Sequence, residues 1–127
     1  MNFRVHTFVF LFSIGLCFSV GAQSGVDCVG NVPSDLVIPN VITPNSDGKN
    51  DEFKVVSANL TKLRVEIFNR WGLRVYTFEG VNGIWDGTAF GSLLDAGTYF
   101  YSIEYNSSCS PSLPMKVGGF ITLIRSN

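Results

Sequence analysis

The sequence predicts an all-β fold, and three observations carry the prediction. Apolar and polar residues alternate with period two in several short runs. No window of a dozen residues carries a helical stripe. The runs are joined by connections rich in Gly, Asn, Asp and Pro, the residues that turn a chain. Short strands with such joints describe an immunoglobulin-like antiparallel β-sandwich of about seven strands.

The elements follow in order. Residues 1–22, MNFRVHTFVFLFSIGLCFSVGA, hold Arg4 and His6 ahead of an apolar run and end in small residues, the pattern of a secretory signal peptide cleaved before Gln23. The run is interrupted by Ser13, Gly15 and Ser19 and is shorter than the roughly 18 residues that span a membrane. Cys17 follows bulky Leu16, which argues against acylation there. Residues 23–35, QSGVDCVGNVPSD, read as a short leader, and residues 36–127 as the domain. Within it LRVEIFNR (63–70) and LRVYTFE (73–79) each present one wet face, and Asn69, Arg70, Trp71 and Gly72 between them predict a hairpin. TYFYSIEY (98–105) is aromatic and β-branched, the composition of a central strand buried on much of both faces. KVGGFITLIR (116–125) is the last strand, its Gly118 and Gly119 marking a bulge or a kink. LVIPNVI (36–42) and EFKVVS (52–57) make six strands, and a seventh is expected around Ile84 and Trp85.

Cleavage leaves 105 of 127 residues, enough for one core. It also removes Arg4, so 8 basic residues face 10 acidic ones for a formal charge of −2, with no basic surplus to attract nucleic acid. His6, the sole histidine, leaves with the signal, and with it the commonest general base and transition-metal ligand. The remaining acids, Asp86 and Asp95 among them, sit in turn-rich segments where backbone reasons explain them, so the expectation is no enzyme. Cys28 and Cys109 survive in an exported chain and are expected to form a disulfide, whose long closed loop is worth roughly 4 to 5 kcal/mol before strain.

NVITPNSDGKNDEF (40–53) gathers Asn45, Asp47, Asn50 and Asp51, hard oxygen donors that suit calcium, with Asn45, Asp47 and Asp51 as the candidate ligands. The EF-hand spacing fails, because Lys49 stands at an alternate position and Val56 falls where the bidentate Glu belongs. The competing reading is a turn: Pro44 fixes one φ, Asn45 or Gly48 takes a positive one, and Asp47 caps free N–H groups. No cofactor is expected on this chemistry. Of the two tryptophans, Trp85 in IWDGT is expected over the end of the sandwich, and Trp71 at the hairpin tip is the candidate exposed aromatic.

Five stretches occur together and in order: NVITPNSDGKNDEF, VEIFNRWGLRVY, WDGT, LLDAGTYFYSIEY and GFITLIR. In this the chain resembles the gliding-motility-associated C-terminal domain of Bacteroidetes, the type B sorting domain of the type IX secretion system, over residues 36–127. The resemblance implies a non-catalytic address: export by signal peptide, transit of the periplasm, and delivery to the cell surface or the medium by outer-membrane components of the secretion machinery. It also implies cargo ahead of the domain, for which residues 23–35 offer no room. Ser46 stands where the family usually has glycine, a departure that a negative φ accommodates. The surfaces expected to be read are Pro44, Asn45, Asp47, Gly48, Asn50 and Asp51 of the loop, Asn69, Arg70, Trp71 and Gly72 of the hairpin, and Lys116 and Arg125 of the last strand. A monomer is expected, with a role in gliding as one outcome of surface delivery.

Overall fold

The computed structural model describes residues 36–126. The signal peptide, the leader with Cys28, and Asn127 lie outside the described residues. What is described is all-β: β1 (Leu36–Val37), β2 (Val41–Ile42), β3 (Val56–Ser57), β4 (Leu60–Phe68), β5 (Arg74–Glu79), β6 (Thr88–Ala89), β7 (Ser92–Leu93), β8 (Gly97–Ser107) and β9 (Ser110–Leu123). Five of these form one sheet in the order β2-β9-β8-β4-β5, and β1 with β3 and β6 with β7 make two small ribbons.

Alternation along β4 explains why this sheet has an inside. Leu63, Val65 and Ile67 are buried, and opposite them on β8 lie Tyr105, Ile103 and Tyr101. On β9, Met115, Val117 and Gly119 continue the same rows, and Ile121 lies beside Tyr99 in the next. Onto this face pack Phe53, Val55 and Trp85, joined by reciprocal hydrogen bonds: the Phe53 N–H donates to the Trp85 carbonyl at 2.7 Å and the Trp85 N–H to the Phe53 carbonyl at 3.0 Å. Phe53 lies 5.6 Å from Tyr101, and Trp85 stands edge-on to Tyr99 at 5.3 Å, both centroid to centroid.

Several sequence expectations need correction. The segment 36–42 is two strands rather than one, since Pro39 has no N–H to give a ladder and turns the chain from one sheet to the other. β1 pairs antiparallel with β3, whereas β2 pairs in parallel with β9, so the sheet is mixed. The segment 52–57 contributes just Val56–Ser57 as strand, and Trp85 belongs to a single bridge with Phe53. In place of the strand expected near Ile84 come β6 and β7, closed by Phe90 at φ 54° and Gly91 at φ 77°, the pair of positive angles a tight hairpin needs.

β8 is central, as expected, but it is buried on one face only. Phe100 is 46% exposed and Phe120 beside it 55%, and the rest of that face carries Arg64, Glu66, Ser102, Glu104 and Lys116. β4 and β5 do form the expected hairpin. β9 begins earlier than expected, at Ser110, because Pro111 and Pro114 disguise its first half.

Gly118 and Gly119 mark no bulge: the β8–β9 register runs unbroken from Gly97↔Leu123 to Asn106↔Pro114. Gly119 instead makes room for the Tyr101 ring across the ladder, whose Cε1 lies 2.9 Å from where a Cβ would stand. Gly119→Val should therefore displace Tyr101 from Phe53 and lower stability by about 1 to 3 kcal/mol. Gly118→Ala, whose Cβ would meet only the Tyr101 carbonyl at 3.4 Å, should change little. Urea denaturation of the two variants checks the difference.

Candidate functional site

The loop after β2 is organised by one carboxylate. Asp51 Oδ1 accepts the N–H groups of Asn45 at 2.9 Å and Ser46 at 2.8 Å, and Oδ2 accepts that of Gly48 at 2.7 Å. Asn45 Oδ1 accepts the Asp47 N–H at 3.0 Å, and Asp47 Oδ1 the Lys49 N–H at 2.8 Å. The hydrogen bond from Asn45, with those from Gly48 and Ser46, holds the Asp51 carboxyl below its ordinary 3.8 against a smaller opposing effect of desolvation. The oxygens of Asp47 and Asp51 thus accept hydrogen bonds from within the loop itself. The capping work belongs mainly to Asp51 rather than Asp47.

The sign of the pH effect follows. A lowered folded pKa contributes stability at neutral pH that is lost as pH falls from 3.8 through the lowered value. Asp51→Asn should lower Tm at neutral pH, because its amide turns donors toward Gly48, and should flatten the acid limb of the Tm profile. Thermal unfolding followed across acid pH measures both.

Positive φ falls on Ser46 (64°), Gly48 (81°) and Asn50 (54°). Ser46 thus does not meet the condition of a negative φ under which its departure from glycine costs nothing: an L-residue carries the left-handed conformation there, at a cost of about 1 to 2 kcal/mol. Ser46→Gly should relieve it, offset by unfolded-state entropy, for a net gain of roughly 0.5 to 1 kcal/mol visible as a higher Tm.

Pro44 and Asp51 line, with Ser46, Asp86, Thr88 and Arg125, a cleft of about 520 Å³ between the loop and the turn after Trp85. Asp86 Oδ1 fixes that turn by accepting the Thr88 N–H at 3.1 Å and hydroxyl at 2.6 Å. Arg125 is half-buried and acts as a clamp: Nε donates to the Leu94 carbonyl and Nη2 to the Gly87 carbonyl, both at 2.8 Å. The guanidinium expected to meet a partner is thus engaged inside the molecule.

The hairpin tip forms a second, separate site. Asn69 Oδ1 accepts the N–H groups of Trp71 and Leu73, each at 3.0 Å, and Gly72 at φ 79° closes the turn. This leaves Trp71 77% exposed, with the Arg70 guanidinium 4.6 Å from its ring. Asn69, Arg70 and Trp71 border a cleft of about 340 Å³ whose other wall is Asp95 to Tyr99. The Tyr99 hydroxyl donates to the Asp95 carbonyl at 2.8 Å, and burial, with the Asp95 charge, pushes it above the ordinary phenol value. Sequence reasoning missed this anchor, although Asp95-Ala-Gly-Thr-Tyr99 carried its signal: a tyrosine opening a strand just after a tight turn.

Lys116 is exposed on the open sheet face, outside both clefts, opposite Glu104. On the same face Glu66 accepts from Arg74 at 2.8 Å and Arg64 at 3.3 Å, and the Arg74 hydrogen bond foremost holds its carboxyl below the ordinary value. Trp85 is fully buried, its Nε1–H donating to the Thr88 carbonyl at 3.0 Å. Cys109, at the β8–β9 turn, is disulfide-bonded. Among the described residues no helix is long and apolar enough to cross a membrane.

Comparison with curated proteins gives no match. The model of one protein family, the CHU_C Type IX secretion signal domain, matches residues 36–123, from the first described strand to the last residue of β9. That span takes in the Asp51 loop, the Phe53–Trp85 bridge, the Asn69 hairpin and the Tyr99 anchor, and it makes this chain a member of the type IX secretion signal domain family.

Proposed function

We propose that this chain is a non-catalytic sorting module that directs secretion through the type IX system and ends at the cell surface or in the medium, with gliding-related attachment as one use. The family match over nearly all the described residues carries this reading. The chemistry agrees: the carboxylates of the Asp51 loop, the Asp86 turn and the Glu66 cluster are engaged in hydrogen bonds or ion pairs that fix the fold. Recognition then falls to shape, through the loop, the hairpin tip and the sheet, read by outer-membrane components of the machinery. The immunoglobulin-like sandwich reading is supported by the Tyr99–Asp95 anchor and by the layer built on Phe53 and Trp85. The Cys28–Cys109 bridge is supported by the bonded state of Cys109.

The test fuses residues 23–127 behind a signal peptide and a neutral cargo, in hosts with intact or disabled type IX secretion. System-dependent delivery is expected. Deleting residues 119–127 should abolish delivery, with a folding control because the deletion removes part of a core strand. The second reading is a surface binding module for glycans, favoured by exposed Trp71 stacked under Arg70. It predicts glycan binding by the purified domain and delivery indifferent to the secretion system.

A further inference from the structure

We propose that the free edge of β9 from Lys116 to Phe120 is a strand-addition site for an extended peptide of the secretion machinery, one carrying an acidic and a large apolar side chain four residues apart. This deepens the sorting reading and rests on it.

The backbone sets the site. Thr122 and Ile124 donate their N–H groups away from β8, to the carbonyls of Asn40 at 2.8 Å and Ile42 at 3.0 Å. Strand alternation then points the N–H and C=O groups of Phe120, Gly118 and Lys116 to the same side. β2 covers just Thr122 and Leu123, and among the described residues no strand pairs with β9 between Lys116 and Phe120 on that side. All three residues are exposed. Pro114 has the same parity, so its missing N–H costs the β8 ladder nothing and stops pairing at the far end. The result is a five-residue slot, closed by β2 below and by Pro114 above.

The side chains set the occupant. Phe68, Phe100 and Phe120 stand in one row across three strands of the open face, and Phe120 ends that row at the slot. Lys116 ends the charged row, where Glu104 is shared with Lys62 at 3.9 Å, so its slot side faces no acid across a strand. Gly118 between them leaves the face low. A strand laid in the slot extends both rows, placing an apolar residue beside Phe120 and an acidic one beside Lys116. The part of β9 nearest the terminus is excluded, because β2 already occupies it.

Amide hydrogen exchange on the folded, exported chain tests the edge itself. Lys116, Gly118 and Phe120 should exchange fast while Val117, Gly119 and Ile121 are protected. Equal protection would mean that residues 23–35 or a second copy already fill the slot, and would overturn the proposal. Gly118→Pro blocks the slot without removing a β8 hydrogen bond, and should cut delivery about tenfold, the loss of one or two backbone hydrogen bonds. Lys116→Glu should cut it roughly threefold with no backbone change. Normal delivery of both variants in a host where wild-type export depends on the system would overturn the strand-addition site and leave the sorting reading standing. Wild-type delivery without the system would overturn both. Should Gly118→Pro fail to fold, Lys116→Glu and the exchange pattern still decide.

Discussion

Trp85→Ala is expected to lower stability by about 3 to 5 kcal/mol, a large share of the 5 to 15 kcal/mol of an ordinary domain. Trp85 is fully buried, the bulkiest side chain among those wholly removed from solvent. Its ring stands edge-on to Tyr99, its Nε1–H is spent on the Thr88 carbonyl, and its backbone bridges Phe53. Truncation would open a cavity between the five-stranded sheet and the layer that covers it, and would leave the Thr88 carbonyl without its donor. Trp85→Phe keeps most of the apolar volume and loses the hydrogen bond, so it should cost clearly less, about 1 to 3 kcal/mol. Urea denaturation followed by circular dichroism distinguishes them, because both variants lose the buried tryptophan and the exposed Trp71 reports on neither core nor fold.

Arg125→Ala should cost about 2 to 3 kcal/mol, since one half-buried guanidinium donates to two carbonyls, those of Gly87 and Leu94. Gly87 is itself buried against the Leu123 side chain, so in the Ala variant its carbonyl keeps the Leu94 N–H at 3.0 Å but loses its charged donor where water enters poorly. Arg125→Lys offers a point charge to one carbonyl at a time and should retain about half of the effect. The consequence reaches beyond stability: the clamp ties the segment just after β9 to the turn after Trp85 and to the loop before β8. Thermal unfolding of the Ala and Lys variants measures the clamp, and amide exchange at Leu94 and Thr88 locates the loosening.

How far the sequence reveals this molecule depends on what each residue encodes. Period-two alternation gave β4, β5 and β8 directly, because a half-buried strand writes its two faces into its residues. The same rule failed where pairing is set by distant partners. β2 runs parallel to β9, and Phe53 bridges Trp85, without a local signal for either. Phe100 misled, since an aromatic residue on the polar face of a strand reads as buried when it is not.

The candidate site shows the same division. Asp51 and Asn69 sit in stretches whose composition announces turns, and both prove to be turn hubs. Arg125 looked like a hand held out to a partner and is a clamp, because an exposed charge and a carbonyl-binding one share a residue type. Ser46 adopts a conformation its residue type does not advertise. The stretches that carry the family resemblance, from the Asp51 loop through WDGT to the terminal strand, are in large part those that hold loops to sheet.

The most direct measurement is the fraction of full-length chain reached by protease added outside intact cells, compared between a strain with a working type IX system and one lacking it. Surface exposure is expected in the first and retention within the envelope in the second, at equal expression. Equal exposure in both strains would contradict the sorting reading.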